Sequence, residues 1–161
     1  MHEKLTAILE KSASEEAMDW LRETINTQQD SFERRPFYYA FSGVSRHFDK
    51  RGGLEISDED LASLNKELPG FSIAAWDQFR LARVLLLLTL GDREKAVFLE
   101  TIWALLNTAD IREQTAIFSA FPLLPHQEDL IETAVDGLRT NIVDIYDSIA
   151  LNNPFPAQNF S

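Results

Sequence analysis

The side chains best spaced to do chemistry lie near the C-terminus. Asn141, Asp144, Ser148 and Asn152 follow one another at steps of three and four, with Arg139 and Asp147 beside them. On a helix that spacing puts them on one face. A carboxylate, carboxamides and a guanidinium together suit a polyhydroxylated or phosphorylated ligand. The same spacing also describes a solvated face, or an Arg–Asp network tying two helices together. Taken alone it favours that plainer reading, because structural ion pairs are common.

Two further groups stand out. Arg34, Arg35, Arg46, His47, Lys50 and Arg51 gather cationic side chains in an acidic chain, with Phe37, Tyr38, Tyr39 and Phe41 between them. Such a patch suits a phosphate, an acidic headgroup or a protein partner. Ordinary charge at two helix ends explains it equally well. Arg80 and Arg83 fall on the most apolar stretch. A buried arginine requires a partner, because an unpaired interior charge is strongly unfavourable. Asp144 and Asp110 are the expected partners. If Arg83 meets Asp144, the polar stripe faces inward and lines a pocket.

No P-loop, G-x-S-x-G, H-E-x-x-H or glycine-rich dinucleotide turn is present. His2, His47 and His126 are scattered without metal-ligand spacing. The residues therefore assign no catalytic group, metal or cofactor.

The elements that carry these side chains read as helices throughout. From Pro125 to Pro156, Ile131, Val135, Leu138, Ile142, Ile145 and Ile149 form one apolar seam, and the spacing predicts one long helix with Gly137 off the seam. Asn152-Asn153-Pro154 ends it. Upstream, Leu5, Ile8 and Leu9 mark a short helix, and Ser14 caps a second with Glu15 and Glu16 in its first turn. Thr27–Ser31 reads as a loop, Pro36 opens a third helix, and Asp49–Ser57 is turn-rich. Ser57 with Asp60 and Asp110 with Glu113 have the spacing of capping boxes. A helix is expected over 72–90, apolar all round from Val84 and so central. Another is expected over 93–106. No segment alternates with a strand period. The fold class expected is all-α, as a HEAT-like array of antiparallel helical hairpins, with a closed helical bundle second.

Composition sets the outer bounds. At 161 residues and 45% apolar, with 11 Phe and 3 Trp, one helical domain over residues 1–161 is expected. There is no cysteine, which excludes disulfides and thiolate chemistry. A net charge of -11 repels nucleic acid. The uninterrupted apolar run Val84–Leu88 is far short of the roughly 20 residues of a transmembrane span. MHEKLTAILEKSASEE carries charges where a signal peptide needs an apolar core. Cytoplasmic location is the expectation.

Two segments carry a resemblance: TADIREQTAIFSAFPLLP, Thr108–Pro125, and GLRTNIVDIYDSIALNNPFPA, Gly137–Ala157. Together they closely resemble the EboA family. Matching positions include Arg139, Thr140, Asn141, Asp144, Ala150, Asn153, Pro154 and Pro156, with Ala109, Asp110 and Leu123-Leu124-Pro125. Arg83 before Val84–Leu88 resembles the family's Arg-then-leucine helix, and Pro36–Lys50 its aromatic-basic stretch. The resemblance implies a bacterial accessory protein of secondary-metabolite traffic, with no reaction to carry over. It implies a small-molecule precursor, or other proteins of the same gene cluster, as partners. Arg83, Arg139, Asn141, Asp144 and Asn153 become the candidate ligand-binding residues. Arg34, Arg35, Arg46, Lys50 and Arg51 become the anion or partner patch. Family members usually continue as helix past the Asn-Pro-x-Pro element, so a C-terminal extension is expected to be missing after Ser161. Two other roles stay open. One is a pathway enzyme acting on a sugar-like or cyclitol substrate with Asp144 as general base. The other is a scaffold recruiting a membrane enzyme through Arg34–Arg51, which requires an exposed apolar patch with a basic rim.

Overall fold

Residues 1–160 are described by a computed structural model. Among them are ten α-helices and no strand: α1 His2–Ser12, α2 Glu15–Asp30, α3 Arg34–His47, α4 Asp58–Glu67, α5 Gln78–Leu88, α6 Lys95–Thr108, α7 Ile111–Ala120, α8 Ile131–Leu138, α9 Val143–Ala150 and α10 Phe155–Asn159. Short 3₁₀ turns follow α5 and α7 and lead into α8.

The caps expected at Ser14, Ser57 and Asp110 form, whereas Gly91-Asp92, whose residue types read as a C-cap followed by an N-cap, lies in a 3₁₀ turn and Glu94 takes the N-cap position of α6. Ser14 Oγ accepts from Ala17 N at 3.1 Å. Ser57 and Asp60 close one capping box and Asp110 and Glu113 another. Each satisfies backbone donors that the first helical turn leaves unpaired.

Helix α5 is the centre. Leu81, Ala82, Val84, Leu85, Leu86 and Leu87 are fully buried, and α1, α2, α3 and α7 all pack against it. In a solenoid each repeat meets only its sequence neighbours. Here one helix is ringed by four others, so the packing does not reproduce the expected hairpin array. Helix α9 then packs on α7, and α8 on α9.

Three expected elements differ. First, the long helix over Pro125–Pro156 is broken. Helix α8 ends at Leu138, and Ile142 is extended, with φ -88° and ψ 111°. Thr140 Oγ1 accepts from Ile142 N at 3.1 Å, a local turn that competes with the helix. An unbroken helix from Ile131 to Ala150 would run about 30 Å. The break lets both halves of the apolar seam fold onto the same core. Gly137 does not lie apart from it: a Cβ there would stand 2.6 Å from Ile149 Cδ1 and 2.8 Å from Phe118 Cζ. Second, the helix expected from Ser72 starts at Gln78. Asp77 caps it, with Oδ1 accepting from Arg80 N at 2.8 Å. The preceding loop is tied to the end of α9 by Ser72 N donating to Asn152 O at 3.2 Å. Third, Thr27–Ser31 is not a loop: α2 continues through Asp30. The Gln28 and Gln29 carbonyls near its end accept from Arg93 Nη2 at 3.0 and 3.1 Å, so a polar end is held against the fold by a cation.

Trp20 on α2 stacks on His47 at the end of α3, with ring centroids 4.0 Å apart. Burial, and then the neighbouring Arg46, push the His47 pKa below its ordinary value.

Two outcomes follow from this packing. Gly137→Ala gains helix propensity but overpacks Phe118 and Ile149, so we expect a net loss of about 1 kcal/mol in urea unfolding. Gly53→Ala, with open space around it, should leave the midpoint unmoved; equal effects at the two sites would contradict the assigned α8–α9 packing. His47 favours its neutral form in the fold, so its stabilising contribution is complete above the unfolded pKa of about 6.5. It is lost as pH falls through the lower folded value. Wild type should therefore lose more stability than His47→Phe between pH 7.5 and 5. Parallel curves for the two proteins would refute the assignment.

Candidate functional site

A cleft of about 270 Å³ opens where the 72–77 loop, α5, α7 and α9 meet. Arg80 forms one wall, and Asp144, Asp147, Ser148 and Asn152 form the other. Ser72 and Ser119 add hydroxyls. The cleft exists because of local ties already described. Asp77 fixes the start of α5, and so the rise of Arg80. The Ser72–Asn152 bond holds the loop against the end of α9. Asn152 itself takes the left-handed conformation, φ 55°, which turns the chain out of α9 and which Asn tolerates better than most residues.

Arg80 is half-buried, and no ion pair joins it to a carboxylate among the described residues. Burial pushes its pKa down from the ordinary guanidinium value, and Asp77 and Asp144 oppose that shift. The side chain stays charged, since arginine does not deprotonate in proteins. A cation and two carboxylates therefore face one polar space without being spent on each other.

Arg83, one turn further along α5, is only 3% exposed. Its expected pairing with Asp144 or Asp110 does not form. Nε donates to Phe41 O at 3.0 Å and Nη2 to Ser42 O at 3.3 Å, both on α3. The guanidinium also lies 5.7 Å from the ring centroids of Phe41 and Phe79. Carbonyl dipoles and aromatic faces thus take the place of a carboxylate. Burial lowers its pKa, with Glu113, Asp110 and Asp77 opposing. Arg83 and Asp144 do border one hollow of about 160 Å³ beside the cleft, together with Arg80, Arg112 and Thr115.

The remaining candidates divide. Asn153 borders the cleft, but its side chain is engaged: Nδ2 donates to Phe118 O and Ser148 O at 3.1 and 2.9 Å, and Oδ1 accepts from Phe155 N at 2.9 Å. Ser148 Oγ donates to Ile145 O at 2.6 Å. Arg139 is exposed and pairs with Asp136 three residues back, at 3.3 Å. Asn141 is exposed ahead of α9. The expected stripe therefore holds from Asp144 through Asn152 and excludes Asn141 and Arg139.

The basic patch is split by α3. Arg34 and Arg35 stand at its start, and Arg46, Lys50 and Arg51 at or beyond its end. Its 14 residues span about 20 Å. Arg34 pairs with Glu100 on α6. Arg35, Arg46 and Arg51 are exposed. Lys50 is exposed as well and borders a third hollow, with Arg83 and Arg112.

Arg112 was missed by spacing, although a signal was present. It is a cation in the first turn of α7, where the helix dipole favours anions. Its guanidinium lies 5.7 Å from the Phe79 ring, on the same ring that Arg83 approaches. His126, Glu128 and Asp129 also converge, with ligand-type atoms within 4.8 Å of one another. Lys95 Nζ already supplies a cation there, 2.9 Å from Asp129 Oδ2.

No helix among the described residues is long and apolar enough to cross a membrane. No curated protein and no solved structure gives a significant match to the chain. A family model described as "Metabolite traffic protein EboA" matches residues 1–161. With the whole sequence matched, the chain belongs to the EboA family.

Proposed function

We propose that this chain binds a small polyhydroxylated metabolite in the cleft between Arg80 and Asp144 and hands it on without transforming it. The family's description as a metabolite traffic protein is consistent with such an accessory role. The observation that carries the reading is Arg80, a half-buried guanidinium with no ion-pair partner among the described residues, facing Asp144 and Asp147 across a polar cleft. A ligand with several hydroxyls bridges such a pair. It accepts from the guanidinium and donates to the carboxylates, and each charge-assisted bond is worth about 1.5–3 kcal/mol.

Asp144 as the general base of a pathway enzyme has less support. That role calls for an enclosed carboxylate of raised pKa beside a reacting group. Asp144 is exposed on the first turn of α9. The scaffold reading required an apolar patch with a basic rim around Arg34–Arg51. Tyr39 is the one large exposed hydrophobic side chain of that stretch, whereas Val143, Tyr146 and Leu151 cluster on and after α9, beside Asp144 and Asp147. The apolar surface is therefore rimmed by acid rather than base.

Calorimetric titration with a panel of hexoses and cyclitols tests the binding reading. Arg80→Met should weaken the best ligand about tenfold or more, the loss of one charged hydrogen bond. In cells, Asp144→Lys should abolish pathway output. Arg139→Ala and Asn141→Ala, which lie outside the cleft, should bind as wild type does. Full binding by Arg80→Met together with full output from a folded Asp144→Lys would refute the proposal.

A further inference from the structure

We propose that the hollow at the far end of the same groove is a phosphate-binding subsite. Its volume is about 250 Å³, and it is bounded by Ser42, Ser45, Lys50, Arg83, Asp110 and Arg112. Three cations thus line it with one carboxylate, and a second carboxylate, Glu113, accepts from the lining Ser42 Oγ at 2.9 Å, in a chain whose net charge is -11. Asp110 is committed to the start of α7, where its Oδ1 accepts from Glu113 N at 2.8 Å. Lys50 and Arg112 make no ion pair among the described residues.

Arg83 is the observation that points to a ligand rather than to surface charge. Nearly all of it is buried, yet it borders this hollow. Nε and Nη2 are engaged by α3 carbonyls, and Nη1 has no acceptor among the described residues. The Phe79 ring holds Arg83 and Arg112 at the same distance, 5.7 Å from its centroid. Two planar guanidiniums and a mobile ammonium around one hollow match the oxygens of a phosphate, and planar forks are the geometry that recognises them best. A phosphate would also relieve Arg112, whose charge opposes the dipole of its own helix.

The phosphate comes from one of two sources: free inorganic phosphate, or an ester carried by the ligand of the main cleft. The middle hollow shares Arg83 and Arg112 with this subsite and Arg80 and Asp144 with the cleft. From Arg112 to Ser119, α7 rises about 10 Å, close to the length of a phosphorylated sugar or cyclitol. The ester source rests on the binding reading above; the subsite itself does not.

Titration of the full chain at constant ionic strength, by nuclear magnetic resonance, tests both. The probes are orthophosphate and glucose 6-phosphate. Lys50→Gln combined with Arg112→Gln, both surface changes, should weaken orthophosphate at least tenfold. Arg35→Gln combined with Arg51→Gln removes the same charge elsewhere and should not. Arg83→Met, close in volume, should remain folded by circular dichroism and also lose orthophosphate. Arg80→Met should spare orthophosphate but weaken glucose 6-phosphate. No orthophosphate binding by wild type, or equal loss in the two double variants, overturns the subsite. Orthophosphate bound as expected, with glucose 6-phosphate no tighter and insensitive to Arg80→Met, leaves the subsite standing and assigns it to free phosphate.

Discussion

A guanidinium buried in the most apolar helix organises the contacts among α3, α5 and α7. All of helix α5 except Arg80 and Leu88 is buried, and a charge in its buried part has to find polar partners within the fold. Arg83 finds them in the Phe41 and Ser42 carbonyls of α3 and in two phenyl faces. Those partners fix how α3 lies against α5. The Phe79 ring then receives Arg112 from α7 as well. One aromatic side chain thereby links the registers of α5 and α7, and α9 follows because it packs on α7.

The groove follows from that arrangement. Arg80 and Arg83 are one turn apart on α5, so the first looks into the cleft while the second forms the wall next to it. On α7, Arg112, Thr115 and Ser119 recur at helical spacing and line successive hollows. On α9, Asp144 and Ser148 do the same. The groove thus grades from cationic near Lys50 to acidic near Asp147. In an acidic protein, this local excess of positive charge is what would draw an anion to one place, since long-range steering by net charge would repel it.

The outer face of α9 adds a second chemical character at the mouth of the cleft. Val143 is 68% exposed and Leu151 58% exposed, and Leu151 itself borders the cleft. Their apolar surface lies next to Asp144 and Asp147. A ligand lodged against Arg80 would therefore meet both charge and apolar surface as it enters and leaves.

Residue order alone sets what periodicity and local chemistry control. The all-helical class, the caps at Ser14, Ser57 and Asp110, the central place of Val84–Leu88 and the family all follow from residue order. So does the part of the polar stripe from Asp144 to Asn152, because it lies within one helix and its end. Tertiary structure decided what depends on neighbours distant in sequence. The Pro125–Pro156 seam reads as one helix, yet it breaks at Thr140–Ile142 because both halves have to reach one core. Arg83 looked like a partner for Asp144, but α3 carbonyls were nearer, and Arg80 took the place across the cleft. Lys50 and Arg112 are 62 positions apart and share a hollow only because α3 and α7 flank α5. No spacing rule reports that, since it is a property of packing and not of the chain.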